Sequence, residues 1–93
     1  MNRLVLSAQL IERSALRYTP AGLPALDLTL QSESEVSEDG RPRKVSLQIK
    51  AVVIGGLCRR LAGLPLGHAG EWAGFLAASR NQRGLVFHVT EAD

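Results

Sequence analysis

Val45-Ser46-Leu47-Gln48-Ile49-Lys50-Ala51-Val52-Val53 puts Val45, Leu47, Ile49, Ala51 and Val53 on one side of an extended chain, and Ser46, Gln48 and Lys50, with Lys44 before them, on the other. Side chains along a strand alternate between its two faces, so this spacing predicts a strand with one face in a core and one in water. The same alternation runs through Leu4, Leu6, Ala8 and Leu10 against Ser7 and Gln9, and through Leu26, Leu28 and Leu30 against Asp27, Thr29 and Gln31. One-sided strands of this kind belong to antiparallel sheets. Between the first and second, Thr19-Pro20-Ala21-Gly22-Leu23-Pro24 holds two prolines that cannot donate to a ladder and a glycine free to take positive φ, which forces a turn. The second and third strands are joined through an acidic stretch ending in the turn pair Asp39-Gly40.

After the third strand, Leu57, Leu61 and Leu64 recur at i, i+4 and i+7, the stripe of one or two helical turns, cut short by flanking glycines and Pro65. Two more strands follow: Glu71 to Ser79, carrying Trp72, Phe75 and Leu76, and Leu85 to Thr90, with Leu85, Phe87 and Val89 on one side. Trp72 and Phe75 have opposite parity, and the expectation is Trp72 inward and Phe75 outward. Tyr18, beside the Thr19-Pro20 turn, is expected to cap the core. Three strands, a short helical plug between strands three and four, then two strands is the order of an all-β, five-stranded Greek-key OB-fold, the oligonucleotide-binding barrel. Closure also removes the long unpaired edges that an open sheet of short strands exposes.

A chain of 93 residues with 45% hydrophobic content fits one domain, spanning 1–93. The single cysteine, Cys58, excludes an internal disulfide and a cysteine-based zinc site, and fits a reducing compartment. No apolar run approaches the ~20 residues of a membrane span, and a cytoplasmic protein that does not enter membranes is expected. The net charge of +2 hides an uneven division: residues 32–40 carry Glu33, Glu35, Glu38 and Asp39 with no base, and residues 41–60 carry Arg41, Arg43, Lys44, Lys50, Arg59 and Arg60 with no acid. The acids are expected in a mobile turn, where nothing raises a carboxyl toward general-acid use. His68 and His88 lie on different elements without a second ligand at metal spacing, and Gly55-Gly56 lacks the Gly-Lys-Ser/Thr of a phosphate loop. No enzyme activity, metal or cofactor is expected.

Between the fourth and fifth strands, Arg80-Asn81-Gln82-Arg83-Gly84 carries two arginines and no acid. In this barrel that loop commonly contacts oligonucleotides, and guanidinium both donates in pairs to phosphate and stacks on bases. Arg80, Gln82 and Arg83 are therefore candidate contacts to single-stranded DNA. A second candidate surface is the wet side of the third strand, with Arg41, Arg43, Lys44, Ser46, Gln48 and Lys50.

Met1-Asn2-Arg3-Leu4-Val5-Leu6-Ser7, the Pro20-x-Gly22-x-Pro24 turn, Gln48-Ile49-Lys50-Ala51-Val52-Val53-Ile54-Gly55, and Gly74-Phe75-Leu76 followed by a basic turn ending in Gly84-Leu85 together resemble the primosomal replication protein N (PriB) family. The resemblance covers nearly the whole chain. It implies a homodimer of OB-folds similar to bacterial single-stranded DNA-binding protein, which binds single-stranded DNA and joins the primosomal helicase PriA and the partner DnaT to reassemble replication forks. It also implies that Arg43, and Arg13 and Arg17 on the first strand, belong to the DNA face. Where relatives carry aromatic side chains on and before the third strand, this chain has Arg41 and Ser46, so binding is expected to lean on charge more than on stacking. Two alternatives stand beside a DNA-binding module: an interaction scaffold with weak DNA affinity, and a small RNA-binding barrel.

Overall fold

In a computed structural model describing residues 1–93, the alternating stretch at 45–53 is the inner part of a strand that begins four residues earlier. The chain runs β1 (Leu4–Arg13), β2 (Arg17–Tyr18), β3 (Pro24–Glu38), β4 (Arg41–Ile54), α1 (Leu57–Ala62), β5 (Ala69–Ala78) and β6 (Leu85–Ala92). The five long strands close into a barrel in the order β1, β5, β6, β4, β3 and back to β1, while the two-residue β2 pairs only with the start of β3. This is the five-stranded OB-fold, with α1 between β4 and β5 as expected.

Closure depends on two joints. β1 serves two neighbours: its first half pairs with β5 from Leu4↔Gly74 to Gln9↔Ala69, and its second half pairs with β3 from Gln9↔Gln31 to Arg13↔Leu28. A register shift between Leu10 and Glu12 lets the strand bend from one sheet into the other. The other joint is parallel and short, joining β4 to β6 only at Ala51↔Phe87 and Val52↔His88.

Parity decides the interior as the leucine pattern predicts. Leu10, Leu26, Leu30, Trp72 and Phe87 are fully buried, and the Trp72 indole donates to the carbonyl of Ala8 at 3.0 Å. Leu61 of α1 fills one end of the barrel, with Leu57 and Leu64 packed half-buried beside it. Cys58 is buried next to it, its thiol donating to the carbonyls of Val53 and Pro24, and burial pushes that thiol up from its ordinary pKa. No buried side-chain nitrogen or oxygen lacks a hydrogen-bond partner. Phe75 points outward, 39% exposed, and stacks flat on His88 across the β5–β6 ladder with ring centres 4.8 Å apart.

Two expectations fail. The acidic stretch is not a mobile turn: Glu33, Glu35 and Glu38 belong to β3, and the turn is only Asp39 and Gly40, at φ 51° and 75°. Two consecutive positive φ values make the tight hairpin turn that matches strand twist. The acid run and the base run are thus the two legs of one hairpin, facing each other as Glu35↔Lys44 and Glu38↔Arg41, an arrangement that stabilises cross-strand neighbours. Nor does Tyr18 cap the core, since its ring is 67% exposed on β2.

Candidate nucleic-acid interface

The parallel joint determines which basic segments share an end of the barrel. Followed toward their N-terminal ends from Ala51↔Phe87, β6 runs to Leu85 and the β5–β6 loop while β4 runs through Gln48 into the β3–β4 ribbon. Parallel strands run the same way, so the Arg80/Arg83 loop and the ribbon leave the barrel from the same end. The ribbon carries the molecule's longest dimension to 48 Å against 30 and 21 Å for the others.

The β5–β6 loop is braced from within. Ser79 Oγ donates to Asn81 Oδ1 at 2.8 Å and accepts from the Gly84 amide, and Asn81 Oδ1 also accepts from the Arg83 amide at 3.0 Å. The chain closes through the amide of Ser79 to the Gly84 carbonyl, with Gln82 at a positive φ of 63°. Polar side chains thereby spend themselves on the loop's own backbone, leaving Arg80, Gln82 and Arg83 exposed and both guanidinium groups without an ion pair.

On the ribbon, register separates residues that the sequence places together. Lys44, Ser46, Gln48 and Lys50 stand opposite Glu35, Glu33, Gln31 and Thr29, on the outer face of the sheet. Ser46 accepts from Gln31 at 3.1 Å, and Lys50 donates to Thr29 at 3.1 Å. Arg41 and Arg43 have the other parity, which they share with Val45, Leu47 and Ile49, so they lie on the face continuous with the barrel interior. Arg43 pairs diagonally with Glu38 at 2.8 Å, both groups well exposed. The expected single wet face is therefore two basic faces of one ribbon, and the outer one mixes acids among its cations.

Arg13 and Arg17 do not join this surface. Arg13, at the far end of β1, donates to the main-chain carbonyls of Leu61 and Leu64, where α1 stops. Arg17 lies on β2 rather than the first strand and grips Asp27 with two hydrogen bonds, 2.8 and 3.0 Å long. The bond from Arg17, more than its charge, holds the Asp27 carboxyl below its usual range against the opposing pull of burial. Both arginines lie at the α1 end of the barrel, opposite the ribbon. His68 Nε2 lies 3.0 Å from the main-chain oxygen of Asp93, and no group of three or more His, Cys, Asp or Glu side chains converges on a metal-sized site. No helix is long and apolar enough to cross a membrane.

Residues 2–91 match the model of a family described as "another single-strand binding protein family". The replication restart protein PriB of Bordetella pertussis is 55% identical over 93 residues, covering 99% of this chain and 87% of the relative. Among solved structures, PriB from Ralstonia solanacearum superimposes with a TM-score of 0.91 at 35% identity, covering 100% of this chain and 96% of that one. The single-stranded DNA-binding protein of Thermus aquaticus has the same fold, with a TM-score of 0.77 at 25% identity, this chain matching 49% of its length.

Proposed function

The chain belongs to the PriB family of replication restart proteins, built on the fold of the single-strand-binding proteins, and we propose that it binds single-stranded DNA as an accessory of the restart primosome. In this role it is a cytoplasmic, non-catalytic homodimer that holds exposed single strand while the helicase PriA and the partner DnaT assemble. One observation carries the reading: two unpaired, exposed arginines, Arg80 and Arg83, on an internally braced loop at the same barrel end as the basic ribbon. Arg41, Arg43, Lys44, Ser46, Gln48 and Lys50 extend that surface, with Gln82 between the loop arginines. Arg13 and Arg17 support the barrel instead. The outer face on which Val5 and Phe75 are exposed, with His88 stacked on Phe75, supports pairing with a second copy.

A second reading, an assembly scaffold with feeble DNA affinity, is favoured by the lack of any aromatic residue on β4 and by Glu33 and Glu35 among the ribbon cations. Anisotropy of a labelled oligodeoxythymidine over a salt series separates the two. For DNA binding, Arg80→Ala with Arg83→Ala weakens affinity several-fold and flattens the log–log salt slope by about 1.4, roughly 0.7 for each phosphate that is no longer neutralised. Unchanged affinity and slope, with helicase association abolished, decides for the scaffold.

A further inference from the structure

At the opposite end from the ribbon, the chain leaving β1 and the turn after β2 stand away from α1 and leave a groove of roughly 590 Å³. Its walls are Leu16, Tyr18, Leu23 and Pro24 on one side and Ala62 and Arg59 of α1 on the other. Three of these are large apolar side chains left in water: Leu16 is 47%, Leu23 49% and Tyr18 67% exposed. A volume within the usual range for ligand sites, lined mainly by aliphatic and aromatic groups, is the form of a binding cleft.

The charges of the groove narrow its occupant. Arg59 is the single charged group on the lining, it has no ion-pair partner, and no carboxylate borders the groove. Arg17, the next cation along, is spent on Asp27, and Arg60 donates to the carbonyl of Ala92. A polynucleotide needs a row of free cations to follow its phosphates, and one arginine does not supply it. An aliphatic cleft with one free guanidinium suits a short peptide that buries an apolar side chain and presents a carboxylate.

We propose that this groove docks an acidic, apolar peptide segment of a partner protein. A leucine or phenylalanine of that segment lies between Leu16 and Leu23 against the Tyr18 ring, and a neighbouring Asp or Glu pairs with Arg59. Such a contact combines an apolar anchor with a bidentate ion pair at its edge. It is separate from DNA binding by the ribbon and the β5–β6 loop, so each can fail alone.

The test titrates the intact protein into a fluorescein-labelled peptide, Asp-Leu-Asp-Phe-Asp, and follows anisotropy. Saturable binding that weakens with salt is expected. Arg59→Glu or Leu16→Ser weakens it at least tenfold, Arg59→Lys less, and the Arg59→Glu and Leu16→Ser proteins keep wild-type melting temperature and oligodeoxythymidine affinity. A peptide with Lys in place of each Asp, or Ser in place of Leu and Phe, does not bind. In amide NMR spectra, the acidic peptide shifts residues 16–24 and 55–62. No binding, equal binding of the Lys peptide, shifts confined to 43–48 and 80–84, or displacement by oligodeoxythymidine each overturns the proposal, the last by making the groove part of a nucleic-acid path.

Discussion

Arg13 and Leu64 join the end of β1 to the end of α1: the guanidinium donates to the Leu64 carbonyl and, at 3.3 Å, to that of Leu61. Leu64 lies just past the helix and its amide already donates to the Leu61 carbonyl, so the guanidinium fastens the turn that leaves α1 and meets the negative end of the helix dipole. In a helix of six residues seated by Leu61 and Cys58, these contacts add a polar tie between the plug and the barrel. Arg13→Ala is expected to lower stability by about 2 kcal/mol, the range for hydrogen bonds to charged groups. Urea unfolding measures it. Arg13→Ala leaves the salt slope of DNA binding unchanged, which a role in contacting phosphate does not allow.

Gly74 sits in the middle of β5, where a Cβ would meet the carbonyl oxygen of His88 at 1.8 Å. The β5–β6 register shifts between Ala73 and Gly74, and the close approach of β6 at that step depends on the missing side chain. Gly74→Ala must push the two ladders apart, at a cost of about 3 kcal/mol or more. Thermal unfolding gives the loss, and Ala77→Ser on the same strand serves as a mild control.

The Arg17–Asp27 pair gives a pH dependence of fixed sign. Asp27 ionises more readily folded than unfolded, chiefly through the Arg17 hydrogen bond, so the unfolded chain binds more protons in acid. Its contribution is therefore present above the unfolded carboxyl value of about 3.9 and is lost as pH falls through the lower folded value. Because both groups are about half exposed, the amount is at most about 1 kcal/mol. Asp27→Asn is expected to reduce stability at pH 6 and to converge on the parent protein toward pH 2, as read from urea midpoints.

Glu33 and Glu35 stand on the outer ribbon face among Lys44, Ser46 and Gln48. Carboxylates there repel a phosphate backbone across distances shorter than the ~10 Å screening length at moderate salt. Glu33→Gln with Glu35→Gln is expected to raise single-strand affinity several-fold in low salt, with the gain shrinking as salt rises. Oligodeoxythymidine anisotropy measures this, and a gain that persists unchanged in high salt contradicts a charge effect.

The barrel was legible wherever a strand has one buried face. Leu4 to Leu10 and Leu26 to Leu30 announce their inward side through apolar periodicity, and the same parity separates Trp72 from Phe75; in the third alternating stretch only Ala51 and Val53 reach the core, Val45 and Ile49 are half-buried and Leu47 is exposed where β4 runs out into the ribbon. The outer ribbon has no buried face, so residues 33–43 carry no apolar period and read as a loop. Their signal was of another kind, an acid run and a base run meeting at Asp39-Gly40. Arg13 was illegible because its partners lie 48 and 51 residues away in the chain. Tyr18 misled because an aromatic beside a core strand usually packs on it, whereas the two-residue β2, paired with the start of β3, leaves that ring on the wall of an open groove.

The parallel joint of β4 and β6 rests on just the pairs Ala51↔Phe87 and Val52↔His88, against fourteen pairs along β3 and β4. A cylinder sewn with one short seam opens there first. Amide protons of β6 near that seam are expected to exchange with solvent through a partial opening that leaves the β3–β4 hairpin intact, which native-state hydrogen exchange measures. By the same reasoning the hairpin, made of near neighbours in the chain, is expected to zip before the β4–β6 seam closes, and substitutions at Ala51 or Phe87 are expected to speed unfolding more than they slow folding.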